Sequence, residues 1–163
     1  MEESGRLLLK AAEIEGMARE RRVHFLNPNA VRLRRSLGDR VGLTKLGVHL
    51  VEIEPGRVST EFHIHYDEEE CVYVLAGRGM LELGDETFEL GAGDFLGLPA
   101  GKKAYAIRND GKDLLVFLLF GQRLPHDVAE YPRLSKRLFR HRGTWSLADL
   151  ADLSDPRDSR RGA

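Results

Sequence analysis

Between Leu43 and Phe120 the chain is cut into short apolar or β-branched segments, among them Thr60 to His65, Cys71 to Leu75, Gly79 to Leu83, Phe95 to Leu98 and Leu114 to Phe120. Turn formers such as Pro55-Gly56, Gly84-Asp85, Gly91-Ala92-Gly93, Pro99-Ala100-Gly101 and Asn109-Asp110-Gly111 separate them. Many short strands punctuated by Gly and Pro specify an all-β sandwich or barrel. No helix of useful length fits between them, which disfavours a parallel sheet built from βαβ units.

The flanks read differently. From Ser4 to about Arg22 an apolar stripe of Leu7, Ala11, Ile14 and Ala18 predicts an amphipathic helix, weakened by Gly16. Asn27-Pro28-Asn29 predicts a turn, and Arg32-Leu33-Arg34-Arg35 a solvated basic strand or arm. After Gly121 the pattern loosens, and Ser146 with Asp149 three residues on predicts the start of a second amphipathic helix. Ser154 to Ala163 is polar and expected to fray. The expected division is an N-terminal helix and arm over 1–40, a barrel over 41–122 and an extension over 123–163 that packs on the barrel or on a partner subunit.

At 163 residues, one domain is expected. With 25 basic and 26 acidic residues there is no global field to attract a polyanion, so neither nucleic acid nor a membrane surface is an expected partner. Cys71 is the only cysteine, which excludes an intrachain disulfide and fits a reducing compartment. The early apolar run Leu7-Leu8-Leu9 is broken by Lys10 and Glu13, so the expected setting is the cytoplasm.

His63-Ile64-His65 carries the chemistry. Side chains on a strand alternate, so two histidines two residues apart share a face and can reach one ion. A carboxylate beside them completes the two-His-one-carboxylate set that suits first-row transition metals and leaves positions open. Glu70 is the expected third ligand, because it lies in phase with Val72 and Val74, whereas Glu69 shares phase with Cys71 and Tyr73. Asp67, Glu68 and Glu69 are expected to form a solvated turn.

These residues resemble the cupins, small double-stranded β-helix barrels. Gly56, His63, His65, Glu70 and Gly77 stand where the first cupin motif has its Gly, HxH, Glu and Gly; Gly93, Pro99, Gly101 and Asn109 match the second. The position of the second-motif histidine, usually a further ligand, is Tyr105. Ser36-Leu37-Gly38-Asp39 and Tyr131-Pro132 further resemble a group of small bacterial single-domain cupins.

The resemblance implies a homodimeric cupin barrel holding Fe, Mn, Ni or Zn at His63, His65 and Glu70, with a small polar metabolite at the open positions and isomerase or dioxygenase-type chemistry. The alternative is a metal-free module that binds a small molecule without turnover. Tyr105 either fills the emptied ligand position and bonds Glu70, or presents a proton to substrate. His49, Lys103 and Asn109 complete the candidate substrate contacts, against the plainer readings of a satisfied histidine for His49 and a solvated loop lysine for Lys103. His24, His126 and His141 are assigned no role, and Cys71 is read as a buried structural thiol.

Overall fold

The computed structural model describes residues 7–158. Most expected segments form strands close to their predicted bounds, with Thr60 to His65 contributing only its last two residues: β3 Leu46–Ile53 follows β1 Glu20–His24 and β2 Asn27–Ser36, and β4 Ile64–His65 and β5 Glu70–Ala76 come next. The barrel continues with β6 Arg78–Leu83, β7 Glu86–Gly91, β8 Phe95–Leu98, β9 Tyr105–Arg108 and β10 Leu115–Gln122, and the chain ends in β11 His126–Tyr131, β12 Lys136–His141 and β13 Thr144–Asp149.

One sheet runs β1-β2-β3-β10-β5-β8; a second runs β13-β12-β11-β4, and a third β7-β6-β9. All named strand pairs are antiparallel. His63 and Tyr105 exchange both backbone bonds, 3.1 and 2.8 Å, and so join the second sheet to the third. The core lies between this combined wall and the six-stranded sheet: Val51, Ile53, Val72, Val74, Leu115 and Phe117 meet Leu81, Tyr105 and Ile107. Period-two alternation produces this directly, since Val72 and Val74 are buried while Tyr73 between them is exposed.

Gly77 closes the β5–β6 connection at φ +80°, and a Cβ there would stand 2.2 Å from the Leu114 carbonyl oxygen. Only glycine fits that corner.

The flanks depart from the sequence reading. The N-terminal helix is only Ala11–Gly16 and buries no residue, and Glu20 to His24 pairs with β2 instead. A helix without an apolar contact gains little, while pairing satisfies the backbone of Glu20 to His24. Ser4, where that helix was expected to begin, lies outside the described residues, as do 159–163 of the polar tail. The segment from Ser146 is strand rather than helix, paired along β12 through a tight turn at Arg142 and Gly143, both at positive φ. No helix among the described residues is long and apolar enough to cross a membrane.

Candidate metal centre

His63 is buried on the β4 side of the barrel, and its Nδ1 donates to the Glu61 carbonyl at 2.8 Å, with Thr60 Oγ1 at 3.1 Å. His65 donates from Nδ1 to Asp127 Oδ2 at 2.6 Å. Each ring spends its hydrogen at Nδ1, so each Nε2 presents a lone pair. The two Nε2 atoms stand 3.2 Å apart. Facing lone pairs at that distance repel unless a proton or a cation satisfies them. Nitrogens each about 2.1 Å from a common ion would be about 3.0 Å apart at a right angle and about 3.4 Å apart at the tetrahedral angle. The observed spacing falls between these values. Glu70 Oε2 lies 3.8 Å from His65 Nε2, and the three residues bring their ligand atoms within 4.8 Å of one another. Gly121 opposes Glu70 across β5 and β10, and a Cβ there would stand 3.3 Å from Glu70 Oε1, so the small residue leaves the carboxylate its room. The donor set fits a divalent transition metal.

The two imidazoles shift in opposite directions, and at His65 a bound ion would have to displace a favoured proton. Burial, together with the neighbouring His65, holds the His63 imidazole down at about 4, so it is neutral and available as a ligand at neutral pH. Burial acts the same way on His65, but the Asp127 hydrogen bond and the Glu70 carboxylate outweigh it and raise that imidazole.

Tyr105 occupies the wall beside these residues, its ring 4.9 Å from that of His63, and donates from its hydroxyl to Glu70 Oε2 at 2.7 Å. Burial and the adjacent Glu70 charge push the phenol well above its ordinary value, so it keeps its proton. A cavity of about 590 Å³ opens in front of the group. That volume suits a small metabolite.

Of the other candidate contacts, His49 lines this cavity with its Nδ1 3.1 Å from Ser36 Oγ. Asn109 does not reach it. Its amide donates to the Ile53 and Asp113 carbonyls at 2.7 and 2.8 Å and accepts from Gly111 N at 2.9 Å, which makes it a corner brace of the barrel. Lys103 does not line this cavity either: its ammonium lies 2.6 Å from Glu86, and it borders a separate small pocket shared with His65, Glu70 and Tyr105.

The structure adds residues that the sequence reading left aside. Asp127, on β11, is buried and accepts from the backbone N–H of Asp67 and Glu68, each at 3.2 Å, as well as from His65. Glu68 is not solvated: it is buried, ion-paired with Arg140 and bonded to Leu124 N at 2.7 Å. Arg32 and Arg34 face the cavity instead of solvent, because Arg34 pairs with inward-facing Val51 across β2 and β3 and Arg32 shares its phase. Arg35, on the other face, is buried against Glu52 at 2.7 Å. His24 also lines the wall, and burial holds it neutral at about 4. Cys71 is half-buried and free.

A family model described as "Cupin domain" matches residues 49–121. Among solved structures, a protein of Acidithiobacillus ferrooxidans provisionally named a sugar phosphate isomerase is 52% identical, with a TM-score of 0.90, over 91% of this chain and 96% of that one. A protein of Silicibacter pomeroyi, described as a sugar phosphate isomerase from a cupin superfamily, is 27% identical with a TM-score of 0.76, over 86% of this chain and 94% of its own. An uncharacterized protein of Methanocaldococcus jannaschii is 41% identical over 59 residues, which are 36% of this chain. The match spans about half the length of that relative, 46%.

Proposed function

The chain belongs to the cupin superfamily, and within it we propose that this protein is a metal-dependent isomerase of a small phosphorylated hydroxy-carbonyl compound. The observation that carries the reading is the pair of imidazole lone pairs converging at 3.2 Å beside Glu70, at the base of a metabolite-sized cavity. The near relative's provisional name supplies the reaction class and the phosphate.

His63, His65 and Glu70 would hold Fe, Mn, Ni or Zn. A bound ion of this kind polarises a carbonyl or hydroxyl and leaves positions open for substrate oxygens. Isomerisation shifts hydrogen between neighbouring carbons of one molecule and needs no external oxidant, so it draws only on groups that a site of this kind holds. Tyr105 would serve as the proton donor to a substrate oxygen: its hydroxyl keeps its proton and holds it on Glu70 Oε2, facing the same space as the imidazoles, while the carbon-bound proton would leave to a separate base. His49, from the facing sheet, offers a neutral ring to the substrate, since burial holds it at about 4.

Among the described residues the outer edges of β1 and β13 are unpaired, and with Val23 and Phe25 exposed beside the first they support a homodimer as the working form. The free Cys71 suits a reducing cytoplasm.

A second reading is favoured by one observation. Tyr105 takes the place that cupins usually give to a further histidine, and its hydroxyl is spent on Glu70, so the cavity can serve as a metal-free binding module. Incubating the protein, reconstituted with each of the four metals, with aldose and ketose phosphates and following hydrogen exchange by NMR separates the two. Metal-dependent interconversion is expected; binding without interconversion in any metal form would leave only the module.

A further inference from the structure

Five arginines line the cavity, and four of them are already answered by a carboxylate. Arg22 pairs with Glu20 at 2.8 Å, Arg34 with the same Glu20 at 3.4 Å, Arg123 with Asp39 at 2.6 Å, and Arg140 with Glu68. Arg32 has neither a hydrogen bond nor an ion pair among the described residues. It is also badly placed for stability alone. It lies directly across β1 and β2 from Arg22, a like-charge pairing that destabilises a sheet, and Arg34 follows on the same face. Burial pushes its guanidinium below the ordinary value, while the nearby Tyr105 and Glu70 act in the opposite direction. Its charge therefore acts on the two residues that flank the imidazole pair.

We propose that Arg32 is the anchor for the substrate's phosphoryl group, an anion subsite on the β2 wall that takes up two phosphate oxygens through the guanidinium fork. This rests on the isomerase reading for the identity of the ligand, but the subsite itself stands on Arg32 being the one cavity-lining arginine with no carboxylate partner among the described residues. A planar fork matches phosphate in two parallel bonds, and no protein carboxylate occupies the Arg32 fork, whereas Glu20, Asp39 and Glu68 between them answer the other four arginines. With the phosphoryl group held by Arg32, the far end of a short substrate would extend toward Tyr105 and the imidazoles. Arg32 would thus set both the requirement for a phosphate and the register of the carbon chain.

The test is binding of inorganic phosphate to chelator-treated protein, so that a bound ion cannot itself take the anion, with acetate as the carboxylate arm and buffered low salt to limit screening. Phosphate should bind the native chain, and Arg32→Gln should weaken it about tenfold or more, with Arg32→Lys falling between because it keeps the charge and loses the fork. Arg34→Gln, which removes an already paired cation, should change the affinity less than about threefold. Far-ultraviolet circular dichroism of each variant separates a lost site from a lost fold, and Arg32→Lys keeps the test open should the glutamine variant not fold. Equal losses in the Arg32 and Arg34 variants, stronger binding of acetate than of phosphate, or no phosphate binding by the native chain would each overturn the assignment. Because the readout is binding to protein without metal, absence of isomerase turnover would count against the proposed function and leave the subsite standing.

Discussion

Asp127→Asn is expected to weaken metal binding at His63, His65 and Glu70 while leaving the barrel folded. In the native chain Asp127 Oδ1 accepts from two backbone N–H groups and Oδ2 accepts from His65 Nδ1. An asparagine has one acceptor oxygen. If that oxygen stays on the Asp67 and Glu68 amides, the NH2 group faces His65 Nδ1, which must then accept, and the ring hydrogen moves to Nε2. The lone pair that would meet the ion is lost. If instead the amide turns its oxygen to His65, two backbone donors face an NH2 group, which is the costlier arrangement in a buried site. Metal affinity should fall about 10–100-fold, the range seen when the partner of a ligating histidine is removed. Nitrogen-15 spectra of the histidine rings should show His65 exchanging its Nδ1–H form for the Nε2–H form. Unchanged affinity and an unchanged tautomer would show that Asp127 only braces the 67–68 turn.

Tyr105→Phe should do the reverse, keeping the metal and losing turnover. The ring would still pack beside His63 and within the core, so the wall survives. What disappears is one hydroxyl, with its proton and its bond to Glu70 Oε2. As a ligand Glu70 gains freedom from that change, so metal content should hold or rise. As chemistry the change removes the proposed proton donor to a substrate oxygen, and the isomerisation rate should fall about 10²–10⁴-fold, the usual contribution of a positioned general acid or base. A rate within about threefold of native would make Tyr105 a filler of the vacated histidine position, as its burial alone would allow.

Residues whose face is set by local periodicity are legible in the sequence, and those whose face is set by distant strand pairing are not. His63, His65 and Glu70 were legible because the strand period is a local property: two residues of spacing fix a shared face, and the phase of Val72 and Val74 selects Glu70 over Glu69. The barrel was legible for the same reason, through its turns. Arg32 and Arg34 were not, because their face is decided by a pairing with β3 some seventeen residues away, Arg34 against Val51. Asp127 is still further from its partner, brought to His65 only when β11 pairs with β4. Its segment does alternate, with Asp127, Ala129 and Tyr131 buried, but the intervening His126, Val128 and Glu130 give little contrast of hydropathy. The two-residue turn at Arg142 and Gly143, between two six-residue strands, was the signal that could have revealed the C-terminal hairpin. Asn109 misled in the other direction: its place in the second motif reflects a barrel corner and not the cavity.

The converging imidazoles and Glu70 are expected to form a working metal centre despite Tyr105. The direct measurement is elemental mass spectrometry on untagged protein, with His63→Ala purified in parallel. About one transition metal ion per chain, lost in the variant, is the predicted result. No bound ion in the native protein, even after reconstitution with Fe, Mn, Ni and Zn in turn, would contradict it.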